Sequence, residues 1–342
     1  MNDRGSTTDR PPRPAETTGS GVGLLPVVCL VAEGRSGSTM TMELLGSCDE
    51  VAFERAHRYE TRHLTYAARI ARLYEPELRA PTSSDRPTRR IWAGVRSRLD
   101  RLFGLPPGTA PWGTVRTGPQ FFDTSLPPQP RAHAREPELG SITGPDGTRL
   151  RTRVLAALWR VVGEQISHEW TTRTGTPPRW YAEKTPWWVV TDVRDVVPTR
   201  ILYLVRDPRD VWCSRIAFDP AGRGFRRAPR TSRARHLHET LQKMRKNLER
   251  IPERPSEAEL VVRYEDLVLR RADEARRLSL WLGVELDPTA PPPDPARAAR
   301  HMTSTSASSS IGRWRRELDR EVARAFETVL GEQLDRFGYE RS

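Results

Sequence analysis

The segment Arg35–Thr39 combines residue types that bind a phosphate group. It follows the apolar, β-branched run Val27–Val31, which predicts a buried strand, and it enters a predicted helix that begins at Ser38. The amides of a tight turn and the N-terminus of a helix both attract an anion. We therefore expect the backbone amides of Ser36–Met40, with the hydroxyls of Ser38 and Thr39, to hold a phosphate.

The spacing of this segment is that of a nucleotide-binding P-loop with one change. The pattern places a Gly or Ala five residues before Gly-Lys-Ser/Thr. Ala32, Gly37 and Thr39 keep that spacing, but Ser38 stands at the lysine position. The loop thus lacks the lysine that reaches a triphosphate, and Arg35 is the residue expected to supply positive charge from inside the turn.

A second strand-to-helix segment predicts a second phosphate site. Ile201–Val205 reads as a buried strand, after which Asp207 suits an N-cap and Pro208 suits the first helical turn. Arg206 and Ser214 are both expected to lie near the strand edge at this helix. Together they are expected to bind another phosphate group.

These two segments resemble those of sulfotransferases that use 3′-phosphoadenosine-5′-phosphosulfate (PAPS). The resemblance implies that the first loop binds the 5′-phosphosulfate. It also implies that Arg206 and Ser214, which keep the family's interval of eight residues, bind the 3′-phosphate. The co-substrate implied is therefore PAPS, and this donor requires no metal.

Further segments of the chain resemble the same family. Glu183–Pro186 is similar to the Glu-Lys-Thr/Ser-Pro segment of carbohydrate and bacterial members, and Arg263–Leu267 matches a recurring strand-end segment. In Ser310–Trp314 the resemblance implies a loop that closes over the nucleotide, formed by Gly312, Arg313 and Trp314.

One departure from the family pattern lies just before that closing loop. Cytosolic sulfotransferases carry Arg-Lys-Gly where this chain has Ala307, Ser308 and Ser309. This places the chain nearer the bacterial and Golgi-type branch. It leaves the C-terminal part of the 3′-phosphate site to serine hydroxyls, amides or Arg313.

The resemblance also implies which residues act in sulfuryl transfer. The reaction needs in-line alignment, neutralisation of charge on the moving and leaving oxygens, and removal of the acceptor proton. Arg35 and Lys184 are the expected cationic stabilisers. Glu183, beside Lys184, is expected to pair with a neighbouring arginine rather than to act as the base.

The general base is sought between the second strand and the next helix. Glu60-Thr61-Arg62 is similar to the Glu-Thr-Arg segment that carries the base in protein-tyrosine sulfotransferases, which favours Glu60. Cytosolic sulfotransferases use a histidine there, which makes His57 the second candidate. Glu54 is the third.

Composition leaves two other classes of function to weigh. The net charge is +12, from 56 Lys and Arg against 44 Asp and Glu. A basic, non-catalytic nucleic-acid-binding protein would carry such a charge, but aromatic residues do not alternate with basic ones in a stacking pattern. A small-molecule P-loop kinase is the other alternative, and Ser38 argues against it. No nucleic-acid partner is therefore expected.

Strands alternate with helices along the chain, which predicts an α/β fold. We expect a P-loop-like three-layer sandwich with a mostly parallel central sheet, helices on both faces and a large insertion. Residues 1–24 are predicted to be a disordered tail, and residues 25–342 a single domain. Within it, residues 79–148 are predicted to form a lid-like or partly disordered insertion.

The strand ends of such a sheet position the proposed site. Arg35, Lys184 and Arg206 each follow a predicted strand, so they are expected to converge at its carboxyl edge. The predicted strands are 27–31, 51–53, 180–182, 201–205 and 259–262, and the predicted helices are 38–47, 61–74, 152–170, 187–193, one beginning at 208, 236–251, 272–282 and 321–337.

Several properties follow from cysteine usage and hydropathy. The three cysteines form no metal or redox pattern, and neither a signal peptide nor a membrane-length apolar run is evident. We expect a cytoplasmic enzyme. The acceptor is expected to be a hydroxyl-bearing small molecule, glycan or lipid, selected by residues 79–148 and the loop 220–232. The sequence leaves the oligomeric state open.

Overall fold

The computed structural model of the chain describes residues 23–53, 62–72, 147–218, 230–291 and 302–341. Strands and helices alternate through most of this part, as predicted. The elements in chain order are β1 (Val27–Ala32), α1 (Ser38–Leu45), β2 (Val51–Ala52), α2 (His63–Arg72), α3 (Gly147–Thr174), β3 (Trp180–Lys184), α4 (Trp187–Val193), β4 (Thr199–Val205), α5 (Pro208–Phe218), α6 (Arg230–Glu249), β5 (Glu259–Arg263), α7 (Tyr264–Leu269), α8 (Arg271–Leu282), a 3-10 turn (Ser308–Ser310), α9 (Trp314–Glu317) and α10 (Arg320–Arg336).

The strands form one five-stranded sheet in the order β2-β3-β1-β4-β5. The predicted α/β fold with a mostly parallel sheet is confirmed. β4 and β5 pair in parallel, with Ile201 opposite Glu259 and Val205 opposite Arg263. On β5, the carbonyl oxygen of Val261 accepts a hydrogen bond of 2.8 Å from Arg277 of α8. This bond occupies a backbone acceptor on the terminal strand of the sheet, where it would be open to another strand.

The chain divides into two compact units. The described residues of the first lie in 30–52 and 201–341, and those of the second lie in 23–29 and 53–200. In the first unit, apolar faces of α5, α6 and α10 pack together. The buried members of this cluster are Val211, Trp212, Leu241, Met244, Phe326, Leu330, Leu334 and Tyr339.

The second unit is built around aromatic side chains. Trp159 of α3 is fully buried and donates a hydrogen bond of 2.8 Å to the carbonyl oxygen of Leu25. Its ring centroid lies 5.5 Å from that of Tyr181 on β3. Arg72, at the end of α2, forms an ion pair with the buried Asp192 of α4. These contacts fix the positions of α2, α3 and α4 within this unit.

Most element boundaries differ only slightly from the predicted ones. The larger differences are α3, which extends the predicted 152–170 in both directions, α6, which begins six residues before the predicted 236, and α7, a short helix where the sequence predicted a strand end. Gly283 ends α8 with φ 68°, the left-handed conformation that its position after the helix predicted. Among the described residues, no helix is long and apolar enough to cross a membrane.

Two predictions about organisation fall on other parts of the chain. Residues 1–22 of the predicted tail and residues 79–146 of the predicted insertion lie outside the described residues. Gly147 already belongs to α3. Of the loop 220–232 predicted to select the acceptor, residues 220–229 are likewise outside the described part.

Candidate functional site

The turn after β1 is tightly wound. The amide of Ser36 donates a hydrogen bond of 3.1 Å to the carbonyl oxygen of Glu33. Arg35 adopts φ 78°, a left-handed conformation that costs a non-glycine residue about 1–2 kcal/mol. The Ser36 amide is thus bound within the turn, whereas the residues that follow it lie at the N-terminus of α1, where an anion is expected. The expectation for Ser36–Met40 therefore narrows to Gly37–Met40, at the N-terminus of α1.

Gly37 is required at the N-cap of α1 for two reasons. Its φ is 91°, which side-chain-bearing residues rarely adopt. A Cβ atom at this position would lie 2.3 Å from Cδ2 of Tyr264, which is far inside van der Waals contact. The ring of Tyr264, the first residue of α7, thus packs directly against the backbone of the loop.

A carboxylate ties the same turn to two helices. Glu33 accepts a hydrogen bond of 2.6 Å from Arg215 of α5 and another from Asn247 of α6. Arg215 directly follows Ser214, so this ion pair joins the first loop to the helix that carries the second set of predicted ligands.

Arg206 is held between the loop and the C-terminal segment. Its side chain is 6% exposed, and it donates to the carbonyl oxygens of Arg35 (2.9 Å) and Ser310 (2.8 Å). Its guanidinium carbon lies 4.2 Å from the centroid of the Tyr264 ring. Its Nε–H group is buried and has no hydrogen-bond partner in the described part of the chain. This cation is therefore oriented by neutral groups, and its Nε–H group is not used in that orientation.

The predicted residues Arg35, Ser214 and Arg313 meet in one hydrogen-bonded chain. Arg35 Nε donates to Ser214 Oγ at 3.2 Å. Ser214 Oγ lies 2.9 Å from Thr303 Oγ1, and Arg313 Nη1 donates to the same threonine oxygen at 3.1 Å. The first loop, α5 and the C-terminal segment thus contribute adjacent polar groups.

The electrostatics of this cluster favour an anion. Burial, followed by the positive charges of Arg206 and Arg313, lowers the pKa of Arg35. Arg313 is partly neutralised by Glu317, which accepts two hydrogen bonds of 2.9 Å from it. Like charges held close together in a partly desolvated place repel one another. A bound phosphate or sulfate would relieve that repulsion.

Asp210 holds the closing loop in place. Its carboxylate accepts hydrogen bonds from the amides of Gly312 (2.7 Å) and Trp314 (3.0 Å). Burial raises the pKa of Asp210, although these two bonds act in the opposite direction. Gly312 has φ 68°, so the loop turns sharply here.

The ring of Trp314 has a different place from the one expected. It is 5% exposed, packs with Cys213 and Ala323, and lies 3.6 Å from the guanidinium carbon of Arg209. Its buried position makes it an anchor for the closing loop, whereas the resemblance implied a residue that covers the nucleotide.

The start of α5 is fixed as the sequence predicted. Asp207 Oδ1 accepts a hydrogen bond of 2.9 Å from the amide of Arg209, which is the N-cap geometry. The amide of Asp207 itself donates to Glu265 of α7 at 3.0 Å. Glu265 also accepts a hydrogen bond of 3.0 Å from the hydroxyl of Tyr339. The backbone beside Arg206 is therefore held by two buried carboxylates.

In the second unit, Lys184 is the last residue of β3 and is half-buried. Its neighbour Glu183 is buried, and of the predicted pairing with an arginine the structure shows only the charge of Arg62, which lowers the pKa of Glu183 against the larger effect of burial. Its carboxylate accepts hydrogen bonds from the amides of Leu64 (2.8 Å) and Thr65 (3.1 Å) and from the Thr65 hydroxyl (2.6 Å). Glu183 therefore caps the N-terminus of α2.

The candidate bases Glu54, His57 and Glu60 lie outside the described residues. Ser38, Thr39 and Met40 form the first turn of α1, as expected. Within the part of the chain that the structure describes, no group of three His, Cys, Asp or Glu side chains is placed to hold a metal ion.

Three residues of this site were not identified as functional from the sequence. Tyr264 was visible only as part of the Arg263–Leu267 segment, which carries no local signal for a ring against Gly37. Asp210 lies in the first turn of α5 and reads as an ordinary helix-start acid. Thr303 lies in a Ser/Thr run that predicts only a loop.

Comparison with known protein families gives a match over more than half of the chain. The chain matches the model of the family described as "Sulfotransferase family" over residues 110–288. No curated protein sequence matches it. The matched range contains Lys184, Arg206 and Ser214, whereas the Arg35 loop and the Arg313 segment lie outside it.

Solved structures similar to this chain are remote from it. The sulfotransferase domain from the curacin biosynthetic pathway is 14% identical, covering 94% of this chain and 100% of that chain, with a TM-score of 0.40. The sulfotransferase domain from the Synechococcus PCC 7002 olefin synthase is 14% identical, covering 94% and 98%, with a TM-score of 0.44. A sulfotransferase from Mycobacterium avium is 13% identical, covering 92% and 77%, with a TM-score of 0.38.

Glu183 generates a prediction about pH and stability. Burial raises the pKa of its carboxyl from 4.5 to about 7, so the folded state binds this proton more tightly than the unfolded state. Its contribution to stability is therefore complete below pH 4.5 and is lost as the pH rises to about 7. The loss amounts to about 3 kcal/mol. Glu183→Gln cannot titrate and should show a flatter dependence of the unfolding free energy over this range.

Urea unfolding at a series of pH values between 4.5 and 7.5 measures this difference. Glu285→Gln, at an exposed position, is the matched control and should follow the wild type. Parallel curves for the wild type and Glu183→Gln would contradict the assignment.

Proposed function

The chain belongs to the sulfotransferase family, and from this premise we propose that it moves the sulfuryl group of PAPS to a hydroxyl of an acceptor. The observation that carries the proposal is that Arg35 and Arg313 both bond to the Ser214 and Thr303 hydroxyl pair, while Arg206 binds the carbonyl oxygen of Arg35. Such a cluster suits a ligand with more than one anionic group.

The two parts of this cluster suit the two ends of the donor. The amides of Gly37–Met40, at the N-terminus of α1, are placed for the 5′-phosphosulfate. Arg206 and Ser214 are placed for the 3′-phosphate, and Arg313 adds positive charge on the same side. A charge-assisted hydrogen bond to phosphate contributes roughly 1.5–3 kcal/mol. The side chain of Arg206 has an uncommitted, buried Nε–H group for such a bond.

The reaction is an in-line displacement at sulfur. The acceptor oxygen forms a bond to sulfur while the bond from sulfur to the 5′-phosphate oxygen breaks, and adenosine 3′,5′-bisphosphate leaves. Arg35 and Lys184 stabilise the negative charge that grows on the transferring and leaving oxygens. Glu60 takes the proton of the acceptor hydroxyl, with His57 and then Glu54 as the alternatives.

The supporting structure for the base is the start of α2. Glu60 lies three residues before His63, where this helix begins. Glu183 binds the amides of Leu64 and Thr65 in its first turn. Proton transfer requires a base within hydrogen-bond reach of the acceptor hydroxyl, and Glu60 is proposed for this role from its place in the sequence before α2. The acceptor is proposed to be a small molecule, glycan or lipid that bears a hydroxyl.

Nucleotide selectivity tests the proposed function directly. We expect adenosine 3′,5′-bisphosphate to stabilise the protein more than ATP with Mg²⁺, because Ser38 replaces the triphosphate-binding lysine. At one hundred times the dissociation constant the stabilisation should be about 2.7 kcal/mol. Thermal unfolding with each nucleotide measures it. A shift with ATP and Mg²⁺ alone would favour a kinase instead.

Arg206→Ala should weaken binding of adenosine 3′,5′-bisphosphate more than binding of adenosine 5′-monophosphate. Both should weaken to some extent, because Arg206 also holds the carbonyl of Arg35 in the loop. The excess loss for the bisphosphate should be roughly 1.5–3 kcal/mol. Calorimetry of the variant measures it, with the exposed Arg235→Ala as control. Equal losses of binding free energy for the two nucleotides would show that Arg206 does not bind the 3′-phosphate.

Glu60→Gln should leave nucleotide affinity nearly intact and lower turnover by about 10²–10⁴-fold, since glutamine cannot accept the proton. His57→Gln and Glu54→Gln are matched variants and should retain most of the activity. Rate–pH profiles with any acceptor that is turned over provide the measurement. If Glu60→Gln is fully active and His57→Gln is inactive, His57 is the base and the prediction for Glu60 is wrong.

A further inference from the structure

Thr303 occupies the centre of the polar chain described above. Its Oγ1 atom lies 2.9 Å from Ser214 Oγ and accepts a hydrogen bond of 3.1 Å from Arg313 Nη1. The carbonyl oxygen of Thr303 also accepts a bond of 3.1 Å from Arg313 Nη1. Through Ser214, the same chain reaches Arg35. Thr303 and Ser214 therefore connect Arg313, in the C-terminal segment, to Arg35, in the first loop.

The hydroxyl protons of this pair can be counted. Ser214 accepts from Arg35, Thr303 accepts from Arg313, and one of the two hydroxyls donates to the other. Two hydroxyl groups have two protons. Within the part of the chain that the structure describes, the second proton has no acceptor, whichever way the shared bond runs. An anion beside the pair would accept it.

The surroundings supply the charge that such an anion needs. The guanidinium groups of Arg35 and Arg313 each donate to the pair, and Arg206 approaches from the loop side, where it donates to the Arg35 carbonyl. The buried Nε–H of Arg206 has no partner in the described part of the chain. A leftover hydroxyl proton and a leftover guanidinium donor are therefore found in the same cluster.

The neighbouring serines are less suitable for this role. Ser306 donates its amide to Ser309 Oγ and shares a hydroxyl bond of 3.0 Å with Ser308, while Thr305 and Ser309 share one of 3.1 Å. These hydroxyls stabilise the turn through bonds to one another. Of the groups that the sequence left open for the C-terminal part of the 3′-phosphate site, the structure favours Arg313.

We propose that Thr303 is a ligand of the 3′-phosphate, and that its hydroxyl, together with Ser214, makes the site selective for nucleotides phosphorylated at that position. This inference rests on the proposed function. In this arrangement Arg313 and Thr303 bind the C-terminal side of the phosphate. Ala307, Ser308 and Ser309 supply no positive charge there.

The test uses calorimetry of the full chain with adenosine 3′,5′-bisphosphate and adenosine 5′-monophosphate. Thr303→Val keeps the shape of the side chain and removes the hydroxyl, so it should weaken bisphosphate binding by about tenfold. Binding of the monophosphate should change less than about twofold. Thr303→Ser keeps the hydroxyl and should restore most of the lost affinity. Thr305→Val makes the same change at an exposed position of the same loop and should bind both nucleotides like the wild type.

The outcomes separate this inference from the proposed function. If the wild type prefers the bisphosphate while Thr303→Val binds it as tightly as the wild type, Thr303 is not a ligand and the proposed function stands. Equal weakening for both nucleotides, or failure of Thr303→Ser to restore affinity, also overturns the inference, because a structural role would produce either result. If the wild type does not prefer the bisphosphate, the proposed 3′-phosphate site itself is wrong.

Discussion

The burial of Arg35 beside the positive charges of Arg206 and Arg313 is the constraint on which the proposed site depends. Burial and the two neighbouring charges lower the pKa of Arg35, so holding these groups together in the absence of a ligand costs free energy. Hydrogen bonds and packing contacts around Arg206 and Arg313 offset part of this free energy. Arg206 is bound by two carbonyls and an aromatic face, and Arg313 is bound by Glu317. A site built in this way is preorganised for an anion before the anion arrives.

The support comes from residues that have no direct part in the proposed chemistry. Tyr264 contacts Gly37 and Arg206 with one ring, and its hydroxyl lies 2.9 Å from Ser310 Oγ. Asp210 holds the backbone on both sides of Arg313. A change at either residue would displace several ligands at once, because each contacts more than one segment of the site. The left-handed conformation of Arg35 is maintained by the same surroundings.

In the second unit a buried acidic side chain, Glu183, holds backbone groups in place, as the buried arginine Arg206 does in the first unit. A buried carboxylate receives the amides of α2, while the next residue, Lys184, ends β3 and is half-buried. Glu60, the proposed base, precedes Leu64 by four residues in the sequence, and Lys184 directly follows Glu183. The motif Glu183–Pro186 thus combines a structural role, through Glu183, with the chemical role proposed for Lys184.

The sequence by itself determined the local features. The alternation of apolar runs and helices gave the α/β sheet, the small residues after β1 gave the turn, and Asp207 with Pro208 gave the start of α5. These depend on backbone conformation and periodicity within a few residues. Only the tertiary structure decided the contact between Ser214 and Thr303, 89 residues apart, and that between Glu183 and Leu64, 119 apart. Packing of distant segments leaves no local periodicity, so Tyr264, Asp210 and Thr303 became recognisable only once the chain was folded.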